Sequence, residues 1–227
     1  MASTVLFVVM AIIACLLLLT ASIAASIGAA DAFGSSYYNV DGRIRSAHQY
    51  LTIAAALGWS ALVVLIVILI VAAVAGGFTT VEVSQALLTK STPTKEDLIA
   101  AYRGEKELSS GQTTQVIVLV VLIIVALITL VVGILAILAA VQIAGMRAKD
   151  PKASSAYTAA IVAAVAGVGG ISIMIVAIVA YIAIRAAREK QLKETEAFVA
   201  AAEQRLGVSP IEVAQSAATK TTVITKI

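Results

Sequence analysis

Residues 115–146 read QVIVLVVLIIVALITLVVGILAILAAVQIAGM, an uninterrupted run without a single ionisable side chain. A helix needs about 20 apolar residues to cross roughly 30 Å of hydrocarbon. At about 1.5 Å per residue this run reaches well over 40 Å as a helix, so it must tilt or project beyond the hydrocarbon. Working outward, three more runs of the same kind emerge. They cover about residues 5–30, 50–78 and 153–184, and tyrosine is their only titratable type apart from Cys15. The whole chain of 227 residues is 61% hydrophobic and 13% charged, against about half apolar and a quarter charged in soluble domains. The expected fold class is an all-α integral membrane protein, a four-transmembrane-helix bundle with a helical tail.

The first run has no lysine or arginine ahead of it and is longer than the apolar core of a secretory signal, so it is expected to be a retained span. The expected organisation is a transmembrane region over 1–184, with a polar loop at 79–114, followed by a soluble helical tail over 185–227. Within the loop, Thr94 and Asp97 have capping-box spacing and Gly104 marks an end, which predicts a short surface helix over Lys95–Arg103. Ser209-Pro-Ile-Glu212 predicts a second helix start, and the β-branched residues 221–227 an extended end.

Four spans place both termini, the 79–114 loop and the tail on one face. That face carries eleven of the sixteen Lys and Arg residues; the short loops 31–49 and 147–152 carry the other five, Arg43, Arg45, Arg147, Lys149 and Lys152. Near the span ends the count narrows to about seven against five, which favours the tail face as cytoplasmic by a small margin.

Small residues concentrate in the short-loop halves of the spans. Ala21, Ala25 and Ala29 recur at four-residue spacing, Gly133 opens a row in the third span, and Ala159, Ala163 and Gly167 form a row in the fourth. Such rows permit close backbone approach in lipid, so these residues are the expected helix-packing positions of a bundle pinched at that end. Gly167-Val-Gly-Gly170 lacks the strand before it and the Lys-Ser/Thr after it that a phosphate loop needs.

The chain offers little for catalysis. Intramembrane ionisable groups usually mark proton relays and charged-substrate sites, and these runs hold only residues such as Thr129, Gln142 and Ser172. One cysteine and one histidine, Cys15 and His48, cannot make a thiolate or histidine metal site, and Asn39-Val-Asp is no glycosylation acceptor. No catalytic residue, cofactor or metal ligand is expected, nor any nucleic-acid partner.

The tail is the expected place for interaction, the alternative being a solvated helix that lies on the membrane or against the 79–114 loop. Leu192, Phe198, Val199 and Leu206 form its apolar positions, three of them seven residues apart, and are candidates for binding another subunit; Arg185, Arg188, Lys190 and Lys193 are candidates for headgroups. Claudins, tetraspanins and connexins depend on extracellular cysteines that this chain lacks. Its length, its four Ala/Val/Ile-rich spans and its short polar tail resemble, in general style, the small multi-pass membrane proteins of minor capsid type in the virions of large icosahedral DNA viruses. That resemblance implies a structural protein tying an internal membrane to a capsid shell. It rests on no diagnostic motif, so it transfers no residue roles. The alternatives are a channel or transport subunit for a small uncharged solute, and an accessory subunit of an energy-converting complex.

Overall fold

The computed structural model describes residues 2–74 and 94–206. Among these the chain is helical, with α1 over Ala2–Phe33, α2 over Gly42–Val74, α3 over Lys95–Ile143 and α4 over Pro151–Leu206. All four are long and apolar enough to cross a membrane, the form of a multi-pass membrane protein. The described residues divide into two compact units, one made by residues 2–71 with 118–181 and the other by 72–74 and 94–117 with 182–206.

The helix ends follow from local chemistry. Asp41 caps α2 by accepting from Arg43 N at 2.8 Å, so the helix begins eight residues before the expected start at Tyr50. The α3 cap is reciprocal: Thr94 N donates to Asp97 Oδ2 at 3.0 Å and Asp97 N to Thr94 Oγ1 at 3.3 Å. The expected stop at Gly104 is corrected, because α3 runs unbroken from Lys95 to Ile143. An interior glycine costs about 1 kcal/mol relative to alanine. That is too little to end a helix flanked by good helix formers with no proline nearby. α3 ends three residues short of Met146, where Met146 N turns back to Ile143 O at 2.8 Å beside Gly145. The proposed cap at Ser209, the extended end at 221–227 and the expected end of span two at Phe78 lie outside the described residues.

In the larger unit, all four helices bury side chains, and the size of the buried side chains changes along the bundle. Near the short loops the buried residues are mostly alanines: Ala21, Ala25, Ala29, Ala47, Ala54, Ala136, Ala140, Ala156 and Ala163. Toward the other end the fully buried side chains include Phe7, Leu18, Leu65, Leu122, Met174 and Tyr181, and the Phe7 and Tyr181 rings lie 5.3 Å apart. Helices that converge leave space for methyl groups alone, whereas helices that diverge need rings and long aliphatics to keep interior density. The tail-side half therefore buries larger residues than the short-loop half. Its outward positions, such as Val63, Val67, Leu127 and Val179, are exposed aliphatics suited to lipid.

Candidate functional site

The alanine and glycine rows set the closest helix contacts. A Cβ on Gly167 would lie 2.8 Å from Gly133 Cα and 2.9 Å from Gly133 N, so α3 and α4 touch backbone to backbone there. Ala163 is buried one turn away. Ala159 is only half-buried, on the side facing α1, where a Cβ on Gly28 would come 3.2 Å from it. Ala21, Ala25 and Ala29 are buried along α1. Ala29 also serves a polar role: its carbonyl accepts from His48 Nδ1 at 2.9 Å. The imidazole stands against the rings of Phe33 and Tyr38, with centroids 5.6 and 5.5 Å away. Trp59 Nε1 donates to Ser26 Oγ at 3.2 Å, which gives α1 and α2 a second polar contact.

The short loops are joined by a residue that the sequence reading passed over. Asp150 is buried, and its Oδ2 accepts from Ser35 Oγ at 2.5 Å, Ser36 N at 3.0 Å and Ser36 Oγ at 3.1 Å. Its Oδ1 accepts from Lys152 N at 3.0 Å, which makes Asp150 the cap of α4. The bond from Ser35, aided by those from Lys152 N and Ser36, holds this carboxyl below the usual carboxylate range in spite of burial. Asp31 Oδ2 accepts from Ser155 Oγ at 2.6 Å, tying α1 to α4 next to it. The Asp150-Pro151 pair was the available signal, a cap residue followed by proline at the first helical position.

The smaller unit contains the residues expected to bind partners and headgroups. There α3 and α4 pair antiparallel: Leu98 and Ala101 pack against Val199 and Ala202, flanked by Ile99, Tyr102 and Phe198. The arrangement places the two sets of residues differently from one another. Leu192 and Val199 are buried and Phe198 is half-buried, so they do not form an open docking stripe; in this pair the chain's own α3 covers Val199 and flanks Phe198. The Leu206 side chain lies outside the described residues. Of the basic cluster, Lys190 and Lys193 are exposed and pair along the helix with Glu194 at 3.8 Å and Glu189 at 3.6 Å. Arg185 is half-buried, but Arg188 is only 6% exposed. With its side-chain amide turned so that the oxygen faces the guanidinium, Gln115, itself 1% exposed, accepts from Arg188 Nη1 and from Nε at 3.3 Å. A buried guanidinium is costly without such bonds, and this one cannot lie freely among headgroups.

Between the apolar seam and that polar pair, Glu105 faces acid. Partial burial, then the nearby Glu196 and Glu203, push its carboxyl up from the usual value. A raised folded value means that the paired helices bind the proton more tightly than the separated ones do. The resulting stabilisation is complete below the unfolded value of about 4.3 and is lost as pH rises through the raised one. Hydrogen exchange over 95–105 and 196–203 should therefore be slower at pH 4.5 than at pH 7 after correction for intrinsic rates. Glu105→Gln should slow exchange at pH 7 and flatten the difference; an unchanged pH response would exclude Glu105 as its source.

Among the described residues no group of three or more His, Cys, Asp or Glu is placed to hold a metal ion. No protein-family model, no curated protein and no solved structure matches the chain.

Proposed function

We propose that this chain is a non-enzymatic, multi-pass membrane protein that anchors a larger assembly, which its α3–α4 charged pair and C-terminal tail engage. The observation that carries this reading is the length of α4. Its 56 residues extend about 84 Å as a helix, nearly three times the hydrocarbon thickness, and its second part bears Arg185, Arg188, Glu189, Lys190, Lys193, Glu194, Glu196 and Glu203. Charges at that density are not stable in lipid. α3 likewise runs without a break from a charged stretch into an apolar one. Two membrane helices thus share one element with the aqueous phase, where the apolar seam gives it order and the outer charges give it solubility.

In this reading the four helices form the transmembrane bundle, the termini share the cytoplasmic face, and the partners are other subunits of the assembly. A capsid shell facing an internal membrane is one such assembly, in keeping with the style-level resemblance. The test uses Val199→Asp and Ala202→Asp, which place charges in the seam, in the full chain expressed in its native membrane. Carbonate-resistant membrane association should persist while co-purifying subunits are lost. Undiminished co-purification, or specific solute flux through liposomes containing the purified protein, would overturn the proposal.

A further inference from the structure

The short loops 31–49 and 147–152 hold three carboxylates and five Lys and Arg residues, all of them among the described residues. The carboxylates are turned inward. Asp150 is buried on Ser35, Ser36 and Lys152 N, Asp31 Oδ2 accepts from Ser155 Oγ at 2.6 Å, and Asp41 Oδ1 accepts from Arg43 N at 2.8 Å. The cations face the other way: Arg43, Arg45, Arg147, Lys149 and Lys152 are all exposed, and none makes an ion pair among the described residues. Lys152 has its ammonium at the end of α1, where a Cβ on Gly34 would lie 2.7 Å from Nζ, a place favoured by the negative end of the helix dipole. Arg147 lies over the Tyr157 ring, 5.1 Å from its centroid, and keeps its charge. The acids thus hold this face together, and four cations are left to its surroundings.

Their depth indicates what those surroundings are. α2 begins at Gly42 and its uncharged run at Tyr50, so Arg45 and Arg43 lie five and seven residues before that run, about 7.5 and 10.5 Å along the helix. The headgroup layer is roughly 5–8 Å thick on each side of the hydrocarbon, within reach of these long side chains. Arg147 follows Ile143, the last residue of α3, by four residues. On the same face Phe33 and Val40 are 60% and 82% exposed, apolar surface that a boundary between headgroups and acyl chains accommodates better than open water does. The basic cluster of α4 differs in kind: Arg188 is buried, and Lys190 and Lys193 pair with Glu194 and Glu189.

We propose that the short-loop face, and not the basic cluster of α4, is where this chain binds the phosphates of anionic membrane lipids, through Arg43, Arg45, Arg147 and Lys149. Basic residues at a membrane surface attract anionic headgroups, and a carboxylate already spent on a cap or a loop-to-loop bond does not compete for them. The proposal rests on the reading of the four helices as membrane spans. It is independent of which face is cytoplasmic and of what the tail engages.

The test uses the full chain reconstituted in vesicles of phosphatidylcholine and phosphatidylglycerol, one of the two carrying brominated acyl chains. Trp59, the only tryptophan, lies nine residues into the uncharged run that α2 starts from this face, and it is 42% exposed. Its quenching by each brominated lipid therefore reports which lipid contacts the bundle. Phosphatidylglycerol should be favoured about fivefold, the effect of one basic residue at a membrane surface, and the preference should disappear at about 1 M salt, where the Debye length is about 3 Å. The quadruple variant Arg43→Gln, Arg45→Gln, Arg147→Gln, Lys149→Gln should abolish the preference, whereas Arg43→Lys, Arg45→Lys, Arg147→Lys should keep it, as should Lys190→Gln with Lys193→Gln. Equal quenching of the wild type by the two lipids would overturn the proposal, and so would a preference that survives the quadruple variant or is lost equally in the Lys190, Lys193 variant. Equal quenching combined with loss of co-purifying subunits in the quadruple variant would assign the cations to an acidic protein instead. Absence of quenching by either lipid would overturn the membrane reading itself.

Discussion

Replacing Gly167 with leucine should lower the thermal midpoint in detergent by more than any substitution on the lipid-facing side of α4, and even Gly167→Ala should be harmful. The atoms that any Cβ there would meet are Gly133 Cα at 2.8 Å and Gly133 N at 2.9 Å. Both belong to backbone inside a helix, so neither can rotate away and the two helices must separate. Overpacking of a tight contact costs about 1–3 kcal/mol, and a separation is felt along the whole interface because packing, not hydrophobic exclusion, holds helices together in lipid. The neighbouring glycines provide internal comparisons. A Cβ on Gly169 would lie 3.9 Å from Leu17 Cδ1, an ordinary contact, so Gly169→Ala should be neutral or stabilise by up to about 1 kcal/mol through helix propensity. A Cβ on Gly170 would come 3.1 Å from Thr129 Cγ2, a methyl with limited room to give, and should fall between the two. Val176→Leu, at an exposed position, should have almost no effect. Equal midpoints for Gly167→Ala and Gly169→Ala would disprove the backbone contact.

The sequence makes the membrane helices legible because lipid imposes a length and a polarity that few other environments require. It also makes visible the capping chemistry at Thr94 and Asp97, since both ends of the reciprocal bond are only three residues apart. It fails where a contact joins distant parts of the chain. Gly104 looks like a stop in one dimension, yet α3 passes through it from its seam with α4 toward its apolar run. Leu192 and Val199 look like an unclaimed stripe for the same reason. Their expected occupant was another protein, although the short helix expected over Lys95–Arg103 carries Leu98 and Ala101, which pack against Val199. Leu98, Ala101 and Tyr102 do carry a helical spacing of three and four, so the missing half of the seam was written in the chain but not connected to the tail. The polar link at Asp150 was harder to find. Its bonds to Ser35 and Ser36 span more than a hundred residues, and only its role as a cap is local.

Asp150→Ala should destabilise the protein by about 3 kcal/mol, through two losses that can be separated. Removal of the α4 cap accounts for about 1 kcal/mol. The rest comes from the charge-assisted bonds of Ser35 Oγ, Ser36 N and Ser36 Oγ to Oδ2, each contributing about 1.5–3 kcal/mol where well formed, with overlap among bonds that share one acceptor. The hydroxyls can turn to water, but Ser36 N is fixed by its backbone. Asp150→Asn keeps a capping oxygen and removes the charge, so it should retain the cap and lose the loop-to-loop part, falling between wild type and alanine. The pH dependence gives an independent check. Because the folded carboxyl is held below its ordinary value, its contribution is fully present above the unfolded value of about 3.9 and disappears as pH falls through the lowered folded one. The midpoint gap between wild type and Asp150→Ala should therefore be constant from pH 8 to 5, at roughly 5–10 °C, and narrow toward the cap contribution only in acid below about pH 4. A gap that closed near neutrality would show that some other group, and not this carboxylate, holds the two short loops together.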